Sequence, residues 1–107
     1  MWSMISGAQL DHYLDEGIEL ILIDLREPSD FAKGHIWGAR NIPSEKLPGK
    51  IKELPRGQMI VLYCYHGPQS MRMARWLDQR GYYAADLYGG VASYRGKYYM
   101  ETDENGH

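Results

Sequence analysis

The sequence predicts an α/β domain with a largely parallel central sheet and helices packed on both faces. Three observations carry that expectation. Residues 19–24 and 58–63 are near-continuous apolar runs, too short for typical helices and rich in β-forming residues, as strands buried on both faces are. Segments with apolar residues at helical spacing alternate with these runs. Glycines and prolines punctuate the joins.

Taken in order, Ser6 is an N-cap for a helix over residues 7–16, where Leu10, Tyr13 and Leu14 recur at helical spacing and Gly17 supplies the stop. The run 19–24 follows as a strand with a polar tip at Asp24. Residues 27–33 form a short helix with Pro28 in its first turn, closed by Gly34. A loop carries the chain through His35, Ile36, Trp37 and Gly38, after which Arg40, Asn41 and Ile42 make a short strand ended by Pro43. Helical turns interrupted by Pro48 occupy residues 44–54. The strongest strand, 58–63, is bracketed by Gly57 and Cys64 and belongs in the sheet centre. The longest helix runs from Gln69 to Asp78 and stops at Gly81. Residues 84–88 make a further strand, Gly89 and Gly90 a turn, and residues 91–94 a last helical turn. Beyond Gly96 the chain turns polar and frays from Glu101, with Tyr98, Tyr99 and Met100 still able to pack.

The 107 residues fit one domain, spanning 1–107, with its core over about 6–96 and a polar tail over about 97–107. Twelve Lys plus Arg stand against fourteen Asp plus Glu, a formal charge of −2, so no basic excess exists to neutralise a run of phosphates and nucleic acid is not an expected partner. The start has no basic region followed by an apolar one, and no stretch approaches the ~18 apolar residues of a membrane span, so the expected location is cytoplasmic. Cys64 is the single cysteine and forms no internal disulfide; without a Cys pair or a His-x-x-x-His spacing, neither metal nor cofactor is expected.

Cys64 stands where the best strand ends and the longest helix begins, with Tyr65, His66, Gly67, Pro68, Gln69 and Ser70 between them. Open α/β sheets bind ligands outside the carboxyl ends of their strands. A helix N-terminus there offers unpaired N–H groups and partial positive charge, which stabilise an anion and favour thiolate over thiol. Gly67 permits a tight turn and Pro68 has no N–H to give, leaving the amides of Tyr65, His66, Gly67, Gln69 and Ser70 for a cradle. A lone cysteine is commonly a small buried hydrophobe; this polar, turn-forming loop argues instead for a reactive one. His66 is read either as an anion-binding or acid group or as a simply exposed loop residue.

These residues also resemble a known family. Cys64-Tyr65-His66-Gly67 followed by Ser70, a helix running to Arg80-Gly81-Tyr82, and then Gly89-Gly90, are similar to the active-site half of a rhodanese domain. Residues 23–27 and 31–43 resemble its strand, helix and Gly-His-Ile segment, so the likeness spans residues 6 to about 96. Within the family, Cys-Tyr-His-Gly is similar to the small single-domain bacterial thiosulfate sulfurtransferases of the glycerol-3-phosphate regulon. The resemblance implies attack by the Cys64 thiolate on the outer sulfur of thiosulfate, departure of sulfite, and a Cys64 persulfide passed to cyanide, a thiol or a thioredoxin-like acceptor. It also implies substrate contacts from Tyr65, His66, Gly67, Gln69 and Ser70. Two positions depart from the pattern. Gln69 stands where many members carry a cation, leaving Arg72, one turn into the helix, as the nearest cation in sequence for the donor; Pro68 removes one amide.

Outside the loop, Asp24-Leu25-Arg26-Glu27 follows a buried strand, and Arg26 is expected to form a structural ion pair with a carboxylate beneath the site. His35 should hydrogen-bond backbone, Trp37 should cover the core edge and Trp76 should pack. Tyr94, Tyr98 and Tyr99 should pack on the domain or present a partner surface. A cysteine phosphatase is the first rival function, but it requires Cys-x5-Arg, where this chain has Ser70 and a loop one residue shorter. The second is a non-catalytic or persulfide-carrying module acting through a protein partner; keeping Cys64 in an intact loop argues against the non-catalytic form, and the carrier form needs the same thiolate as the enzyme.

Overall fold

The computed structural model describes residues 2–101. Among the described residues seven strands and five helices follow one another as β1 (Ser3–Ile5), α1 (Gly7–Asp15), β2 (Leu20–Asp24), α2 (Pro28–Lys33), β3 (Gly34–Ile36), β4 (Arg40–Asn41), α3 (Leu47–Lys50), β5 (Met59–Tyr63), α4 (Pro68–Asp78), β6 (Tyr83–Leu87), α5 (Gly90–Ser93) and β7 (Tyr99–Glu101). Five strands make one sheet in the order β1-β6-β5-β2-β4, every neighbouring pair parallel, with β5 in the centre as expected. Strands β3 and β7 form a separate antiparallel pair.

The strand pleat sorts the apolar runs into two cores. Ile21, Ile23, Ile60, Leu62 and Ala84 meet Ala74 and Leu77 of α4 and Leu47 of α3 on one face. Leu22, Val61, Tyr63, Ala85 and Leu87 meet Leu10 of α1 and Tyr94 on the other. Ser6 caps α1, its side chain accepting the Gln9 N–H at 3.0 Å. Pro48 sits in a helix of one turn flanked by 3-10 turns at Ser44–Lys46 and Ile51–Glu53, so the segment read as interrupted helical turns is divided into three pieces. No helix among the described residues is long and apolar enough to cross a membrane.

Four local expectations change. Residues 3–5, given no element from sequence, pair with β6 and extend the sheet by one strand. The predicted loop at His35 begins with a strand, because Gly34–Ile36 gains a partner in Tyr99–Glu101; ordered pairing therefore reaches beyond the 6–96 span on both sides. Glu101, expected to fray, ends that pair, and the rest of the predicted tail, 102–107, lies outside the described residues. Trp37 covers no core edge: it is 54% exposed, its ring tilted against Tyr98 at 6.2 Å.

Candidate active site

Cys64 follows β5 directly, and its thiol turns inward to the N-terminus of α4, leaving the residue 4% exposed. Sγ accepts the Gly67 N–H at 3.1 Å and the Ser70 N–H at 3.4 Å, with Ser70 Oγ at 3.4 Å. Of the five loop amides read as available, those of Gly67 and Ser70 thus reach the sulfur. Gly67 carries φ +123, a backbone conformation open to glycine, and this turn brings its N–H under Sγ. Two amide donors converging on one sulfur at a helix N-terminus stabilise negative charge there.

The loop is fastened from behind by α5. Val91 N–H donates to the Cys64 carbonyl at 3.0 Å and Ala92 N–H to the Tyr65 carbonyl at 2.9 Å. Gly90, with φ +64, lets these backbones approach. Tyr65 and His66 are exposed, their rings edge-to-face at 4.3 Å, and they line different clefts. Tyr65 borders one with Arg26, Tyr94, Arg95 and Tyr99. His66 borders a groove of about 320 Å³ with Met4, Met71, Asp86 and Tyr88.

Gln69 is directed away from the sulfur, donating from Nε2 to Ser44 Oγ at 2.6 Å and tying the loop to the turn after β4. Arg72 lies on the exposed face of α4 and donates to no loop atom among the described residues. The cations that border a cleft beside the loop are Arg26 and Arg95, neither of which sequence spacing singled out for that place.

Beneath the loop, Arg26 binds buried Asp24 through Nε at 3.1 Å and through a terminal nitrogen at 2.8 Å, and donates to the Gly34 carbonyl at 2.6 Å. Arg26 thus forms the structural ion pair expected of it, with Asp24 as the carboxylate, and its bond to Gly34 sets the start of β3. His35 Nδ1 pairs with the Phe31 carbonyl at 2.8 Å, also as expected, with its ring stacked on Phe31. Trp76 packs against the α4 core, and Tyr94 is buried with its hydroxyl on Asp11 at 2.5 Å.

Asp86 was missed. It is the one charged residue within the strand read over 84–88, and the pleat turns it, like Ala84, toward α4. Its carboxylate accepts the Ser70 hydroxyl, placing an acid one hydroxyl away from Sγ. Burial pushes that carboxyl up to about 6, with the Ser70 hydrogen bond pulling the other way. An acidic residue inside an apolar strand ending beside the cysteine loop was the available signal. Among the described residues no three His, Cys, Asp or Glu side chains gather into a metal-ligating group.

The model of the rhodanese-like domain matches residues 6–97. The chain belongs to the rhodanese-like domain family. Among its rhodanese relatives, a sulfurtransferase of Allochromatium vinosum is 30% identical over 95 residues, covering 88% of this chain and 89% of its own. A thiosulfate sulfurtransferase of Pseudomonas aeruginosa is 33% identical over 101 residues, covering 92% and 88%. The solved structure of a rhodanese-related protein from Thermoplasma volcanium is 30% identical, with a TM-score of 0.79 over 86% of this chain and 89% of that one. A rhodanese-like domain protein from Staphylococcus aureus, at 21% identity, shares the fold with a TM-score of 0.85 over 94% and 99%.

Proposed function

We propose that this rhodanese domain is a sulfurtransferase that carries a sulfane sulfur on Cys64. The observation that carries the reading is the seat of Sγ, which accepts the N–H groups of Gly67 and Ser70 at the head of α4. Such a seat favours the thiolate and holds the anionic persulfide that follows it. The names of the relatives, sulfurtransferase and thiosulfate sulfurtransferase, support the same chemistry.

In the first half-reaction the Cys64 thiolate attacks the outer sulfur of thiosulfate or another persulfide donor. The new S–S bond forms as the old one breaks, and sulfite, or the donor thiolate, leaves with the bonding pair. In the second, cyanide or a thiolate, thioredoxin-like in the cell, attacks the outer sulfur of the Cys64 persulfide and Cys64 leaves as thiolate. Tyr65, His66, Gly67 and Ser70 frame the donor. With Gln69 held by Ser44 and Arg72 on the outer helix face, no loop cation grips the sulfonate, which favours donors beyond thiosulfate and a protein partner as persulfide donor or thiol acceptor.

The test is intact-protein mass spectrometry after brief exposure to thiosulfate, then cyanide, with Cys64→Ser as control. A gain of one sulfur on the unmodified protein alone, removed by cyanide, is the expected result. No gain from folded protein with a titratable thiol, with thiosulfate and with organic persulfides alike, rejects the reading.

A further inference from the structure

Asp86 is 2% exposed, flanked on its sheet by Leu62 of β5 and Met4 of β1, and its carboxylate accepts the Ser70 hydroxyl that also lies 3.4 Å from Cys64 Sγ. A single hydroxyl hydrogen cannot serve two anions. When Asp86 is ionised, that hydrogen belongs to the carboxylate and Sγ keeps only its two amide donors. When Asp86 holds a proton, the acid donates to Ser70 Oγ, and the hydroxyl hydrogen is left to the sulfur at 3.4 Å and the Gly67 carbonyl at 3.1 Å.

We propose that Asp86 is a positioning residue of the Cys64 site, turning the Ser70 hydroxyl onto the sulfur when protonated and away from it when ionised. The inference rests on Cys64 being the reactive nucleophile. Two forms of the three groups share one negative charge. In one form the thiol is intact and Asp86 is the anion. In the other the thiol proton has passed to Ser70 Oγ and the original Ser70 proton to Asp86 Oδ1. One S–H and one O–H bond break, two O–H bonds form, and net charge is unchanged. With one Ser70 hydroxyl hydrogen between them, only one of the two ends can hold it as an anion.

The surroundings leave Ser70 as the connection. From the loop His66 and from the end of β6 Tyr88 border the same groove as Asp86, and from α4, α5 and β1 the groove-lining neighbours are Met71, Ser93 and Met4, none of them charged. No cation among those lining residues meets the carboxylate, and burial is the leading cause of its raised titration.

The experiment is the rate of Cys64 alkylation by iodoacetamide, a neutral reagent, from about pH 5 to about pH 9. It is run on the full chain and on Asp86→Asn, Asp86→Ala, Ser70→Ala and the Ser70→Ala/Asp86→Asn double variant, with near-ultraviolet circular dichroism confirming the fold of each. Removing the carboxylate should raise the rate near neutral pH by about tenfold and move the profile about one unit lower, the size of one hydrogen bond gained by a charged group. In the Ser70→Ala background the same substitution should change the rate less than about twofold, since the hydroxyl that carries the effect is gone. Coincident profiles for the wild type and both Asp86 variants overturn the proposal. So does slower alkylation in both, which means that proton uptake by Asp86 outweighs its hold on the Ser70 hydroxyl, or an equal effect with and without Ser70, which makes it a through-space charge. Alkylation needs no sulfur donor, so failure of sulfur transfer and failure of this coupling read out separately.

Discussion

Replacing Gly90 by alanine tests whether the cysteine loop depends on close backbone approach. A β-carbon at Gly90 would stand 2.6 Å from the Cys64 carbonyl oxygen and nearer still to that of Tyr65. An ordinary carbon–oxygen contact is about 3.3 Å or more, so the two backbones must part by several tenths of an ångström. The parting strains the two hydrogen bonds that fasten the loop, from Val91 to Cys64 and from Ala92 to Tyr65. Alanine at φ +64 adds about 1–2 kcal/mol of left-handed strain, and the two weakened hydrogen bonds add about 1 kcal/mol each. Gly90→Ala should therefore lose about 3 kcal/mol, a large part of the 5–15 kcal/mol typical of a domain. Urea denaturation followed by circular dichroism measures the loss, and persulfide formation at Cys64 reads the site in the same samples. Sulfur loading should fall even in urea-free buffer, because Sγ shifts against the Gly67 and Ser70 amides. A loss below about 1 kcal/mol with unchanged loading would refute the reasoning, since the backbone would then have found room the geometry denies it.

Three further outcomes are expected. Arg26→Met leaves the buried Asp24 carboxylate without its guanidinium and should cost about 3 kcal/mol in urea denaturation, most of it recovered when Asp24→Asn is added. Asp86, with a carboxyl raised from 3.8 to about 6, binds its proton more tightly folded than unfolded, so its contribution to stability is complete below about pH 3.8 and is lost as pH rises through about 6. Asp86→Asn should accordingly gain on the wild type by on the order of 1 kcal/mol between about pH 5 and about pH 7.5, a figure reduced for the water that reaches its groove; denaturation midpoints that stay parallel across that range contradict it. Gln69→Arg gives up the Ser44 tether and places a cation at the loop mouth, so kcat/KM for thiosulfate should rise about fivefold; an unchanged value means position 69 does not face the donor.

Much of the architecture is legible in the chain itself. The apolar runs at 20–24 and 59–63 declare strands because nothing else buries so many β-forming residues in so few positions. Ser6, Pro28 and Gly81 bound helices through groups whose effect is local: a hydroxyl on a free amide, a fixed φ, a left-handed turn. The place of Cys64 between a strand end and a helix start is equally local, and so is the choice of Gly67 beneath the sulfur. The Asp24–Arg26 pair and the His35 hydrogen bond belong to the same class, their partners lying two and four residues apart.

Other features depend on partners that no local pattern names. Ser3–Ile5 and Tyr99–Glu101 are three-residue strands with weak signals of their own, and they exist because β6 and β3 present unpaired backbone to them. Gln69 was available to a ligand until folding brought Ser44 within reach from 25 positions away. Asp86 meets Ser70 across 16 positions, because the pleat turns one face of β6 to α4 while the sheet end aligns with the helix N-terminus. The sequence by itself determined the central strands, the main helices and the place of Cys64 between them, since propensity, capping and turn chemistry act within a few residues. Only the tertiary structure decided which charges and hydroxyls surround that sulfur, since those contacts are set by strand order, register and helix docking.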